Sequence, residues 1–184
     1  MPRDFSRREW FSFWRRPERD PAEPPERAWL RPPGAAPELG FADLCQRCGK
    51  CIEVCPRECI FPLPASAGKN ARTPAILARR APCVMCDGLL CTTVCPSGAL
   101  KPLAPAEVDL GTAVVLERTC VTFHGQLCDV CQKSCPVAGA LRLEWAQPVV
   151  DASLCTGCGL CEWSCPTTPA SIVVHPKRVY PKRV

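Results

Sequence analysis

Cysteine is the residue whose number and spacing can do chemistry in this chain. Seventeen of the 184 residues are cysteine, and sixteen of them fall into four groups of four. The first group, Cys45, Cys48, Cys51 and Cys55 followed by Pro56, has the spacing C-x2-C-x2-C-x3-C-P. The second, Cys83, Cys86, Cys91 and Cys95 before Pro96, widens the middle gap to C-x2-C-x4-C-x3-C-P. The third, Cys120, Cys128, Cys131 and Cys135 before Pro136, opens the first gap to C-x7-C-x2-C-x3-C-P. The fourth, Cys155, Cys158, Cys161 and Cys165 before Pro166, repeats the first spacing. The groups begin 38, 37 and 35 residues apart, so the chain is an internal repeat.

Such a density of cysteine serves disulfides or metal. An odd count excludes complete internal pairing, and disulfides leave the fourfold repeat unexplained. Zinc favours separated C-x2-C pairs, four ligands to a site, without a third close cysteine and a proline. Iron–sulfur chemistry accounts for the whole pattern. Three thiolates on a tight loop wrap three corners of a cube, and the fourth reaches the neighbouring cube; this is the ligand run of bacterial two-cluster ferredoxins. The fourth cysteine is expected to open a helix, with the proline tolerated in its first turn. Sixteen thiolates then satisfy four [4Fe–4S] clusters and leave no iron open to substrate, so a catalytic role is not expected. Neither His124 nor His175 is needed as a ligand, and His124 reads as a plain loop residue. Gly157 and Gly159 read as loop glycines that allow tight turns around a cube.

Charge agrees with this reading. The chain carries a formal +5, against which four oxidised clusters with their thiolates would set about −2 each. The basic excess therefore reads first as compensation. No basic stripe interleaved with aromatics points to nucleic acid, and no apolar run is long enough to span a membrane.

The elements that must position the cysteines are short. Strand-like pieces at 100–103, 113–118, 141–145, 148–151 and 171–174 flank the groups, and suggest hairpins with a cysteine loop at each turn. The expected fold class is α+β: two ferredoxin-like dicluster units, small, hairpin- and loop-rich, held together by clusters, with a disordered N-terminal segment. Residues 1–40 contain eight prolines and no cysteine, and read as extended and mobile. Residues 41–175 form the four-cluster domain, and 176–184 a basic tail. The two units can be paired sequentially, first group with second and third with fourth, or nested, first with fourth and second with third. The seventeenth cysteine, Cys59, stands where Ala99 stands after the second group, and reads as a small buried apolar residue.

The segments Cys83–Leu100, Cys120–Cys131 and Cys155–Cys161, above all the wide gap of the third group, resemble the NapF/NapG/MauM group of ferredoxin-type proteins over roughly residues 41–175. The resemblance implies four [4Fe–4S] clusters and accessory electron transfer around periplasmic nitrate reductase or methylamine metabolism. Its partners would be redox proteins, a reductase or a membrane quinol oxidase. A maturation factor for a molybdenum- or other cofactor-containing reductase is the alternative. The second group also resembles the electron-transfer subunits of molybdenum reductases, which tilts the pairing toward nested.

The resemblance divides on location, since NapG- and MauM-like members carry a twin-arginine export signal and NapF-like members stay in the cytoplasm. Arg7 and Arg8 look like the start of such a signal. The charged run Arg15–Asp20 follows, where an export signal needs an apolar stretch. The expectation is a cytoplasmic protein whose Arg7, Arg8, Trp10 and Trp14 dock a partner; periplasmic export is the alternative.

Overall fold

The computed structural model describes residues 29–177. The proposed docking residues Arg7, Arg8, Trp10 and Trp14 lie outside them. Five short α-helices occur among the described residues: α1 (Glu38–Leu44), α2 (Lys50–Glu53), α3 (Leu90–Thr93), α4 (Val130–Lys133) and α5 (Leu160–Ser164). Six strands accompany them: β1 (Ile60–Pro62), β2 (Pro74–Ile76), β3 (Gly111–Val115), β4 (Leu141–Glu144), β5 (Gln147–Val150) and β6 (Ile172–Pro176).

Two halves share one topology. In the second half, β3 precedes the third cysteine group and β6 follows the fourth, and the two pair antiparallel from Gly111↔Pro176 to Val115↔Ile172. The β4–β5 hairpin lies between the two groups. In the first half, the backbone before the first group pairs with that after the second. Ala36 N–H donates to Ala99 O at 2.9 Å and Lys101 N–H to Gly34 O at 2.8 Å. The β1–β2 hairpin lies between those groups. In both halves the segment entering the first group is thus tied to the segment leaving the second. The cysteine loops are not the turns of hairpins, as the strand pattern had suggested. Residues 60–62 and 74–76 add a hairpin that three-residue strands had left unread.

The halves join through Arg79, whose guanidinium donates to the carbonyls of Glu162 and Cys165 at 2.8 Å each, Trp163 at 3.2 Å and Thr167 at 3.0 Å. Cys83 N–H also donates to Cys158 O at 2.9 Å. The apolar core is small and is shared with cysteine: Leu30, Phe41, Ile60, Ile76, Leu89 and Leu100 in the first half, Leu110, Leu141, Ile172 and Val174 in the second.

The folded domain begins earlier than residue 41. Leu30 is buried and exchanges both backbone hydrogen bonds with Ile76 at 2.8 Å. Arg31 forms a bidentate pair with Glu38 at 2.7 Å, donates to Thr73 Oγ1 and Pro74 O, and stacks on Phe41. Proline content had suggested a mobile stretch through residue 40, yet Pro32 and Pro33 are packed into the core. Proline lacks only a donor; it buries as well as any apolar residue where no ladder bond is required. At the other end Pro176 closes β6, so it belongs to the domain and not to the tail.

Candidate metal centres

Each group places its third cysteine on a one-turn helix: Cys51 on α2, Cys91 on α3, Cys131 on α4 and Cys161 on α5. The fourth cysteine lies beyond the helix end and does not open a new helix. The expectation is corrected accordingly: the proline stops the preceding helix. The loop before each helix turns through left-handed backbone. Arg47, Met85 and Gly157, each immediately before the second cysteine of its group, have φ of 56°, 48° and 68°. Successive right- and left-handed residues point neighbouring N–H groups to one side, a concavity suited to an anion. Arg47 N–H accordingly reaches Cys45 Sγ at 3.4 Å.

The sixteen cysteines line four separate cavities. Site 1 is lined by Cys45, Cys48, Cys51 and Cys95. Site 2 is lined by Cys55, Cys83, Cys86 and Cys91, with Cys59 beside them. Site 3 takes Cys120, Cys128, Cys131 and Cys165. Site 4 takes Cys135, Cys155, Cys158 and Cys161. Three thiols of one group are joined at each site by the fourth thiol of its partner group. First goes with second, and third with fourth, which overturns the nested expectation. The reason is the strand pairing, which closes each half on itself before the next begins. A surface groove of about 540 Å³ lined by Trp29, Leu39, Leu103 and Lys177 carries no cysteine.

The chemistry of the sites fits a multi-iron unit. Among the described residues, no three His, Cys, Asp or Glu side chains close on a position for a single metal ion. Four thiolates on one zinc would all stand about 2.3 Å from a single point; here they surround a space. Burial, then the neighbouring thiols, pushes Cys51 to about 11 and Cys91 to about 12. Burial likewise raises Cys131 to about 11 and raises Cys161. Buried thiols crowded in this way hold their protons until a cation displaces them, and that coupling makes metal binding drive folding. Burial would raise Cys95 and Cys165 too. Both are nevertheless lowered, because backbone N–H groups and the Ser97 or Thr167 hydroxyl donate to the sulfur.

Cys59 is buried as expected, but it is more than packing. Its Sγ lies 3.6 Å from Cys55 Sγ. Interaction with the Cys83 thiol, then burial, raises Cys59, and the same interaction lowers Cys83. Spacing alone gave no signal of this contact. His124 is exposed, with Nε2 2.8 Å from Arg118 O, and His175 is exposed on β6. Neither lines a site.

Comparison with known proteins defines the class first. A family model described as a 4Fe-4S dicluster domain matches residues 44–99, and one described as a 4Fe-4S binding domain matches residues 148–168. The chain is 38% identical over 162 residues to the methylamine utilization ferredoxin-type protein MauM of Methylophilus methylotrophus, spanning 82% of this chain and 72% of that one. It is 39% identical over 162 residues to the ferredoxin-type protein NapG of Escherichia coli, spanning 80% and 70%. With the ferredoxin-type protein NapF of Escherichia coli it shares 30% over 143 residues, spanning 76% and 81%. The chain belongs to this family of ferredoxin-type 4Fe-4S electron-transfer proteins.

Proposed function

We propose that the protein carries four [4Fe–4S] clusters and relays single electrons between redox partners. Sites 1 to 4, with their sixteen cysteines, would hold the clusters, which supply reversible one-electron chemistry when bound. The observation that carries the reading is the contact order of the sites. The α2 and α3 helices bring Cys51 of site 1 beside Cys91 of site 2. The Cys83–Cys158 backbone bond sets site 2 against site 4. Cys161 of site 4 and Cys131 of site 3 meet where α4 and α5 pack. A line of sites 1, 2, 4, 3 follows, with sites 1 and 3 at its ends. The loops around them hold the sulfurs, with Cys48 of site 1 exposed to solvent, and the role proposed is that of a carrier and not an enzyme.

The partners proposed are a reductase or a membrane quinol oxidase, in a nitrate-reductase or methylamine-utilisation type of system. The support is the methylamine utilization named for one relative and, for the nitrate-reductase type of system, the resemblance of the cysteine groups. The location proposed is the cytoplasm, on the charged run after Arg7 and Arg8; recovery of the protein from the periplasm would overturn it. Anaerobic purification tests the central reading. About sixteen iron and sixteen sulfide per chain are expected, four of each per cube. Stoichiometric zinc without sulfide would refute it.

A further inference from the structure

The four sites differ in what donates to their sulfurs. At site 3 two threonine hydroxyls stand against two different cysteines. Thr122 Oγ1 lies 3.2 Å from Cys120 Sγ, and Thr167 Oγ1 lies 3.2 Å from Cys165 Sγ. Ser171 N–H donates to the same Cys165 Sγ at 3.3 Å, and its hydroxyl lies 2.7 Å from Thr167 Oγ1. An iron-bound thiolate has no proton, so each threonine must be the donor. Thr167 then commits its only proton to sulfur and accepts that of Ser171, and such a chain polarises the O–H that faces the sulfur. Thr122 and Ser171 are buried, so water competes little for either.

The other sites are more weakly served by side chains. At site 1 Ser97 Oγ is 3.6 Å from Cys95 Sγ and also accepts Ala99 N–H at 3.4 Å. At site 2 the side-chain donor is the Cys59 thiol, 3.6 Å from Cys55 Sγ, and a thiol is a weak donor. Site 4 has a single threonine hydroxyl, Thr156, directed at Cys158, with Ala113 N–H 3.5 Å from Cys155 Sγ.

Resting on the four-cluster reading, we infer that Thr122 and Thr167 raise the reduction potential at site 3 and make this end of the relay the electron-accepting one. Reduction adds one electron and no proton to an already negative set of sulfurs. Donors aimed at those sulfurs stabilise the more negative state more, and hydrogen bonds to sulfur are among the factors that set such potentials. Site 3 is also terminal in the line of sites, so electrons that enter at site 1 would collect there.

The test uses full-length, cluster-loaded protein in an anaerobic potentiometric titration followed by electron paramagnetic resonance, with iron assayed alongside. Thr122→Val and Thr167→Val remove the hydroxyls and keep the shape; Thr122→Ser and Thr167→Ser keep the hydroxyls. The valine variants should hold full iron and lower one and the same potential of the four. In the double variant the reduction equilibrium at that centre should fall about tenfold, which is 59 mV for a one-electron couple. The serine variants should return to the wild-type value, and the centre that moves should stand in the upper half of the wild-type potentials. Four unchanged potentials in fully loaded valine variants would overturn the inference, as would a shift shared by all four or confined to the lowest. If a valine variant fails to load, Ser171→Ala decides: it removes only the hydroxyl bonded to Thr167, and an unmoved potential again overturns the inference. A wild-type protein with fewer than four centres would instead refute the four-cluster reading, before any variant is made.

Discussion

Gly157 and Gly98 form a matched pair that separates backbone strain from packing. Both adopt left-handed φ, 68° and 69°. A Cβ at Gly98 would meet nothing within 4 Å, whereas one at Gly157 would lie 2.4 Å from Gly111 N, 2.5 Å from Gly111 O and 2.7 Å from Gly111 C. Those are backbone atoms of β3, and β3 is held by its ladder to β6. They cannot swing aside as a side-chain tip would. Gly98→Ala should therefore cost only the left-handed conformation, roughly 1–2 kcal/mol. Gly157→Ala adds an overpacking cost of about 1–3 kcal/mol or more. At roughly 2–4 °C per kcal/mol for a chain of this size, Gly157→Ala should lower the apparent unfolding temperature by about 2–12 °C more than Gly98→Ala does. The holoproteins are compared at one scan rate, because cluster loss makes unfolding irreversible. Because Gly157 lies between Cys155 and Cys158, the Gly157→Ala protein should also lose iron from site 4 first. Equal shifts for the two variants would refute the claim that the loop of the fourth group is pressed against β3.

Three further outcomes follow from the geometry. Cys95→Ala should abolish the same spectroscopic centre as Cys45→Ala, and Cys55→Ala the same one as Cys83→Ala, while Cys59→Ala should keep full iron; nested pairing would couple Cys55 to the fourth group instead. Stripping iron with a chelator should collapse circular dichroism and near-native compactness together, since ligand thiols come from distant parts of the chain; a cooperative thermal transition in the apoprotein would contradict this. Deleting residues 1–27 should leave iron content unchanged and weaken partner binding, whereas a deletion through residue 37 removes Leu30 and Arg31 and should lower both stability and iron loading.

The sequence by itself determined what is local. Cysteine spacing within each group sets how a short loop curves, so the sixteen candidate ligands and the kind of cofactor were legible without coordinates, as was the α+β dicluster class. Gly157 and Gly159 of the fourth group were legible as turn-forming loop glycines for the same reason, and both are left-handed. What joins distant residues was decided only by the tertiary structure. The fourth cysteine of each group serves its neighbour's site, and which neighbour depends on the pairing of 34–36 with 99–101 and of β3 with β6. Spacing left both open: the 19 residues between Cys135 and Cys155 suited sequential closure, while the resemblance of the second group tilted the reading to nested. Proline content misplaced the domain boundary because Leu30 and Arg31 owe their order to Ile76, Glu38 and Thr73, partners as far as 46 residues away. Cys59 was correctly read as buried, yet its contact with Cys55 and the threonine hydroxyls at site 3 could not be foreseen. A hydrogen bond to sulfur depends on tenths of an ångström and on which loops face one another, and neither is written in the spacing of residues along a chain.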